Sequence, residues 1–249
     1  KIRAVLPRKV PSRLGLEGFV RVNLGRVGDK IVATPIGRGA GVITTMVKAD
    51  GVLRIPALDE GLNAGQEVTI ELLRPAAQLE GVIVATGSHD MTLDLLANEL
   101  RRLHPERTLA SSNVGSLGGL LALSRGEAHM AGCHLLDEAT GEYNVPFVRR
   151  YAEGRRVVLL NLVHRVQGLI VPAGNPKSVA SLQDLERDDL TYVNRQRGSG
   201  TRVLLDYMLA RAGLSSERIR GYRREEYTPL AVAAAVAGGR ADVGLGILS

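Results

Sequence analysis

Three short segments combine Ser or Thr with Gly in a way that suits anion binding. They are Thr86–Asp90, Ser111–Ser116 and Arg195–Arg202, and each follows a predicted strand and opens a predicted helix. The first turn of a helix exposes backbone N–H groups and the positive end of the helix dipole. Glycine lets a ligand approach the backbone closely, and hydroxyl groups add hydrogen-bond donors. The pattern therefore predicts an anion pocket.

The segment Arg195–Arg202 carries the strongest signal because guanidinium groups flank its Gly-Ser-Gly-Thr core. Simple N-capping of the following helix by Ser199 explains the same residues and is common. Three such loops, however, would converge at the carboxyl ends of parallel strands, where open α/β sheets bind their ligands. We therefore favour a pocket over three unrelated caps.

Residues 1–75 show the short alternating strands of a small barrel or sandwich. Phe19–Leu24 and Lys30–Pro35 predict a hairpin, and Glu67–Leu73 predicts another strand. Gly37–Gly41 lacks the spacing of a nucleotide-binding loop and indicates a bent strand or turn. A weak helical stretch covers Thr44–Ala49.

Beyond residue 76 the pattern changes to strands that alternate with helices, which is typical of an α/β sheet. The predicted strands are Gly81–Thr86, Thr108–Ser112, Ala128–Cys133, Val157–Asn161, Gly168–Val171, Leu190–Asn194 and Ala241–Ile247. The predicted helices are Met91–Leu103, Gly115–Ser124, Thr201–Ala212 and Pro229–Ala237. A domain boundary is therefore expected near residue 76.

Composition narrows the choice of partners. The net charge of +6 is dispersed over single Arg and Lys residues, and no nucleic-acid-binding motif stands out. We therefore expect no nucleic-acid partner. No run of 18 apolar residues is present, so we expect no membrane partner either. The single cysteine, Cys133, excludes an intrachain disulfide and favours the cytoplasm. The chain starts at Lys1 and stops after an apolar run, which suggests that it is a piece of a longer polypeptide.

Two tempting chemical sites are rejected. Ser88, His89 and Asp90 are consecutive, so their side chains diverge and cannot form a catalytic triad. His129 and Cys133 share one face of a predicted strand while His134 points to the other, so no metal site is expected. We predict no catalytic residues in this chain.

Residues 1–74 resemble the last domain of molybdopterin molybdotransferases of the MoeA and gephyrin type. The resemblance rests on Gly18–Val22, Gly37–Ile43, Lys48–Pro56 and Gly61–Val68. It implies a β-barrel that lies beside an active site supplied by preceding catalytic domains, which this chain does not contain. The parent protein would then act in molybdenum cofactor biosynthesis and contact molybdopterin through those domains.

Residues 81–249 resemble two-lobed periplasmic-binding-protein domains of type II. The resemblance rests on Gln167–Pro176, Ser181–Leu185, Ala237–Gly244 and Arg125–Gly132. It implies a first lobe over 80–164, a crossover over 165–172 and a second lobe over 173–245, truncated at the C-terminus. By analogy with oxyanion-binding relatives, the candidate ligand-binding residues are Ser88, Ser112, Ser116, Arg195, Arg197, Ser199, Gly200, Thr201 and Tyr227.

The sequence thus predicts a small all-β barrel, at 1–76, followed by an α/β two-lobed domain, at 77–249. The leading hypothesis is a non-catalytic domain that binds molybdate or tungstate as an intact oxyanion and has no covalently bound cofactor. An interaction or assembly module of the same pathway is the alternative, and a homodimer is left open. A sensor for a pterin-type ligand is disfavoured because the chain has no Trp and only two Phe residues for ring stacking.

Overall fold

A computed structural model describes residues 1–36 and 49–248. The predicted turn at Gly37–Gly41 and most of the weak helical stretch Thr44–Ala49 lie outside the described residues. The chain forms two compact units. The first comprises Lys1–Leu135 and Asn144–Val158, and the second comprises Leu136–Tyr143 and Leu159–Ser249. The division into domains at residue 76 stays a prediction.

The N-terminal part of the first unit is a closed five-stranded barrel. Its strands, with the short β2–β6 pair beside them, are β1 (Ile2–Val5), β2 (Val10–Pro11), β3 (Gly18–Val27), β4 (Lys30–Pro35), β5 (Gly51–Ile55), β6 (Gly61–Leu62) and β7 (Glu67–Leu72). They close in the order β1-β4-β3-β5-β7. Val20, Val22 and Leu24 alternate into the barrel core. The predicted hairpin of β3 and β4 is confirmed.

The rest of the first unit is an α/β layer that follows a 3-10 helix at Ala76–Gly81. Its elements are β8 (Val82–Gly87), α1 (Met91–Leu103), β9 (Thr108–Asn113), α2 (Ser116–Ser124) and α3 (Val145–Tyr151). Strands β8 and β9 are parallel. The predicted strand Ala128–Cys133 is reduced to a single bridge, Ala85 to Met130, although the amides of Thr86 and Ser88 also donate to this segment.

The second unit is built on a four-stranded mixed sheet. Its elements are β10 (Gln167–Ile170), a 3-10 helix (Gln183–Glu186), β11 (Tyr192–Arg195), α4 (Gly200–Ala212), β12 (Glu225–Glu226), α5 (Pro229–Ala237) and β13 (Val243–Ile247). The sheet order is β10-β13-β11-β12, with β11 parallel to both neighbours. Tyr192, Leu205 and Val243 are central to its core. The predicted barrel followed by an α/β region is therefore confirmed.

One predicted strand is wrong. Val157–Asn161 has no strand structure, and the side chains of Val158 and Leu160 are 83% and 79% exposed. An apolar run indicates that a segment needs a covering partner, but it does not identify one, and no described strand pairs with this run. In the part of the chain that the structure describes, no helix has the length and apolarity to cross a bilayer.

The barrel packs directly on the α/β layer within the first unit. Val27, Val32 and Val84 form a shared apolar cluster. A side chain at Gly25 of β3 would overlap Val84 of β8, so glycine is needed for this close approach. The barrel and β8 are therefore parts of one packed body.

His129 adds a polar contact to the same junction. Its Nδ1 accepts a hydrogen bond from the amide of Val84 at 3.0 Å, and the backbone of Arg26 in β3 bonds the ring as well. Burial lowers the pKa of His129, against the opposite effect of the Arg26 bond. The neutral ring, with its proton on Nε2, is thus the form that fits the fold.

We expect this histidine to make the first unit sensitive to acid. The pKa of His129 in the folded state lies below its value in the unfolded chain. The neutral ring therefore contributes fully to the free energy of unfolding above the unfolded pKa. This contribution declines as the pH falls from the unfolded pKa towards the folded-state pKa, and it is lost below the folded-state pKa. His129→Asn retains an acceptor for Val84 but cannot titrate. Urea unfolding at pH 7.5 and 5.5 should show a smaller loss of stability for this variant than for the wild type. If the variant and the wild type lose the same stability between these two pH values, His129 does not cause the acid sensitivity.

Candidate functional site

In the first unit, the loops that follow β8 and β9 meet at one edge of the sheet. The parallel register pairs Gly87 with Asn113, and the amide of Val114 donates to the carbonyl of Gly87 at 3.0 Å. Helices α1 and α2 begin directly after these loops. Ser88, Ser112 and Ser116 are therefore brought to one region of the first unit, and their role as ligand-binding residues stays a prediction.

Ser116 is buried at the first position of α2. Its Oγ accepts a hydrogen bond from the amide of His134 at 3.1 Å and lies 3.3 Å from Nδ1 of the same residue. The His134 contacts therefore hold the hydroxyl group in a defined place. Sequence reasoning had found His134 only as a rejected metal ligand.

Ser112 lies deeper, with 4% of its surface exposed. Its Oγ has no hydrogen-bond partner among the described residues, and the same holds for Oγ1 of its register partner Thr86. Buried hydroxyl groups are normally hydrogen-bonded, so the pair has unused donor capacity beneath the two loops. Thr86 begins the first of the three predicted segments, but it was not among the candidate ligand-binding residues because it also ends an apolar strand.

Two polar groups of the first loop are already engaged. The amide of Ser88 donates to the carbonyl of Gly132 at 2.8 Å, so Ser88 can offer a ligand its hydroxyl group but not its N–H. Asp90 caps α1, and its Oδ1 accepts from the amide and the hydroxyl of Thr92 at 2.9 and 2.6 Å. This carboxylate faces its own helix, as a capping residue does.

In the second unit, Ser199 caps α4, because its Oγ accepts from the amide of Arg202 at 3.3 Å. The amides of Gly200 and Thr201 occupy the first turn and therefore have no acceptor within the helix. Capping uses the Ser199 oxygen as an acceptor and leaves its O–H able to donate. Capping and anion binding are compatible at this residue.

Arg195 ends β11 beside this helix start. Its guanidinium donates to the side-chain oxygen of Gln196 and to the carbonyls of Glu226 and Tyr227, at 3.1 to 3.3 Å. Burial lowers the pKa of this guanidinium. Arg195 thus positions the loop after β12 and places a cation at this edge, while the Tyr227 ring is 76% exposed.

Thr228 is a second residue that sequence reasoning missed. It caps α5, and its Oγ1 accepts from the amide of Ala231 at 3.0 Å. Since β12 is parallel to β11, the starts of α4 and α5 lie at the same sheet edge. The Thr228-Pro229 pair, a cap residue followed by proline, was a readable signal for this helix start.

Arg197 and Arg202 share one carboxylate. Glu225 Oε1 lies 3.8 Å from Nε of Arg197 and 3.4 Å from Nη1 of Arg202. Arg202 also contacts both oxygens of Asp206 at 3.0 Å and stacks 4.1 Å above the Tyr222 ring. Arg202 is therefore a structural cation, whereas the side chain of Arg197 is 82% exposed.

Each unit thus collects its predicted residues at the carboxyl edge of its own parallel strands. The convergence of both groups on one cavity stays a prediction. Among the described residues, no group of three His, Cys, Asp or Glu side chains could hold a metal ion. His129 and His134 have separate partners, Val84 and Ser116.

Two protein-family models match parts of this chain. Residues 97–249 match the PBP superfamily domain, and residues 3–73 match the MoeA C-terminal region, domain IV. YvgK of Bacillus subtilis, an uncharacterized protein, is 37% identical over 66% of this chain and 53% of its own length. A Methanocaldococcus jannaschii protein, provisionally named for molybdopterin biosynthesis, is 36% identical over 30% of this chain and 18% of its own.

Among solved structures, the substrate-binding domain of a provisional molybdenum ABC transporter from Clostridium difficile aligns with a TM-score of 0.46. It is 18% identical and covers 67% of this chain and 70% of that chain. The chain spans only 53% and 18% of the two curated relatives described above.

Proposed function

Because the chain belongs to the PBP superfamily over residues 97–249 and has a MoeA C-terminal region over residues 3–73, we propose that it binds a small oxyanion for molybdenum cofactor biosynthesis. Molybdate or tungstate is the proposed ligand. The chain itself performs no catalysis in this proposal. It presents the anion to catalytic domains of a longer parent protein, which contact molybdopterin and work in the cytoplasm.

The start of α4 is the observation that carries the proposal. Two first-turn amides, at Gly200 and Thr201, lie beside the Ser199 hydroxyl, and Arg195 ends the strand that leads into this helix. Amide and hydroxyl donors at the positive end of a helix replace the water around an anion at little cost in reorganisation.

The protonation of the ligand decides between oxyanions. Molybdate carries no proton at neutral pH and only accepts hydrogen bonds, whereas phosphate retains a proton that benefits from a carboxylate acceptor. Two carboxylates at these loops are engaged, Asp90 by the start of α1 and Glu225 by two guanidinium groups. This donor-rich setting favours molybdate or tungstate over phosphate.

Titration calorimetry of the parent chain with molybdate, tungstate, sulfate and phosphate tests the ligand class. We expect heat from molybdate and tungstate and little from phosphate. An absence of heat from molybdate, tungstate and sulfate together would overturn the oxyanion proposal.

The second test concerns the α4 start. Replacing Ser199 by Ala together with Thr201 by Val should weaken molybdate binding by about 2 kcal/mol, roughly thirty-fold, if both hydroxyls donate to the anion. Calorimetry measures the affinity, and thermal unfolding separates it from the loss of the Ser199 cap. Thr228→Val, which removes the cap of the neighbouring helix, serves as the comparison. An unchanged affinity in the double variant would mean that these residues only cap α4.

An interaction or assembly module is a second candidate function. The observation in its favour is the exposed apolar run from Val157 to Val163, in which Val158 and Leu160 are largely exposed. Exposed apolar patches often mark contact surfaces. Light scattering of the wild type and of a Val158→Ser/Leu160→Ser variant would separate the two functions, because only an assembly module should lose a complex.

A further inference from the structure

We propose that Glu225 is a built-in competitor for the anion: its carboxylate holds Arg197 until a bound dianion takes over that guanidinium. This inference rests on the proposed function and adds to it a residue that sets affinity. No motif singles out Glu225, which lies 25 positions beyond Gly200 in the chain.

The register of the sheet places Glu225 at the site. It pairs with Asn194, one residue before the end of β11, so its side chain lies near the loop that carries Arg197 and Ser199. Glu225 Oε1 reaches Nε of Arg197 at 3.8 Å. A carboxylate therefore already occupies part of the environment that an anion would use.

The two arginines that pair with Glu225 differ in their burial and in the number of their other partners. The side chain of Arg202 is only 7% exposed and has a second carboxylate, Asp206, together with the Tyr222 ring. The side chain of Arg197 is 82% exposed, and 3.8 Å is a loose ion pair. Exposed pairs of this kind contribute less than about 1 kcal/mol, so Arg197 can exchange one anion for another.

Electrostatics gives the exchange a direction. A fixed carboxylate within the Debye length of roughly 10 Å repels an incoming anion, and it repels a dianion more than a monoanion. Glu225 therefore weakens capture at low ligand concentration, while Arg197 adds a contact once the ligand is bound. Removing the carboxylate should leave the cation available from the start.

The experiment compares four variants of the parent chain by tungstate titration at low and high salt. Glu225→Gln should tighten binding about five-fold at low salt and less at high salt, because screening weakens the repulsion. Arg197→Gln should weaken binding about three-fold, and adding it to Glu225→Gln should abolish the gain. Glu186→Gln is the matched control, because Glu186 also pairs with an arginine at 3.8 Å in the same unit.

Each outcome decides the matter. An unchanged or weaker affinity in Glu225→Gln, or a gain that survives the loss of Arg197, overturns the proposal while wild-type binding upholds the proposed function. If neither the wild type nor any variant binds tungstate, both the role of Glu225 and the proposed function are overturned. If Glu225→Gln fails to fold, Arg197→Gln still decides the question, because Arg197 is exposed. A tungstate affinity of Arg197→Gln equal to that of the wild type would reject the transfer of Arg197 from Glu225 to the anion.

Discussion

Gly87→Ala is expected to destabilise the first unit by about 4 kcal/mol, the largest effect of any single substitution we predict. Gly87 ends β8 with a φ of +143°, a conformation that residues with a Cβ rarely adopt. A Cβ there would also lie 2.5 Å from the carbonyl oxygen of Gly132 and 2.9 Å from its nitrogen. That carbonyl accepts the amide of Ser88, so relieving the clash would break the bond that fixes the first loop.

Gly115→Ala provides the matched control at the same sheet edge. Its φ is +77°, but nothing lies within 4 Å of an added Cβ, so only the backbone strain of about 2 kcal/mol should remain. Urea unfolding followed by circular dichroism measures both variants. Equal losses of stability would show that the Gly132 contact contributes nothing and that strain alone matters.

Local signals explain why several elements were predicted correctly. Helices Met91–Leu103 and Pro229–Ala237 have the bounds read from the sequence, and in the structure each begins directly after a capping residue. Asp90 before α1 and Thr228-Pro229 before α5 are signals that depend on neighbours in the chain only. The barrel hairpin is equally local, since its turn includes Gly28 with a positive φ.

Elements that depend on tertiary partners were harder to predict. Val82 and Val84 indicated a buried strand, but nothing in their pattern reveals that β3 of the barrel covers them. Val157–Asn161 shows the reverse case, an apolar run for which no described strand provides a partner. Periodicity reports that a residue prefers burial, and the partner is decided by contacts far away in the sequence.

The candidate site shows the same contrast between local sequence signals and contacts that only the fold reveals. The Ser and Thr residues beside Gly at strand-to-helix junctions can be read from the sequence, and the structure places them at two sheet edges, one in each unit. Which donors are already used could not be read from the sequence. The Ser88 amide is bound to Gly132 and the Asp90 carboxylate to Thr92, while Ser112 and Thr86 have no partner among the described residues. Such assignments require the three-dimensional neighbours of each atom.

Arg125→Leu is expected to lower the free energy of unfolding by about 3 kcal/mol, because it leaves a buried carboxylate poorly paired. Nε and Nη2 of Arg125 both contact Glu127 Oε2 at 2.8 Å, and the Glu127 side chain is only 3% exposed. Lys30, the first residue of β4 in the barrel, also faces Glu127, with its Nζ 3.8 Å from Oε1. It also donates to the carbonyl of Arg125, so this cluster joins the barrel to the α/β layer.

The control isolates burial as the cause. Arg102→Leu removes an ion pair of the same 2.8 Å length to Glu99, but both of those side chains are more than half exposed, so its loss should cost less than about 1 kcal/mol. In the double variant Arg125→Leu/Glu127→Met no carboxylate is left buried, and part of the stability should return. If Arg125→Leu and Arg102→Leu lose the same stability in urea, Glu127 does not depend on its arginine. The apolar cluster of Val27, Val32 and Val84 would then hold the barrel to the sheet without help from the charges.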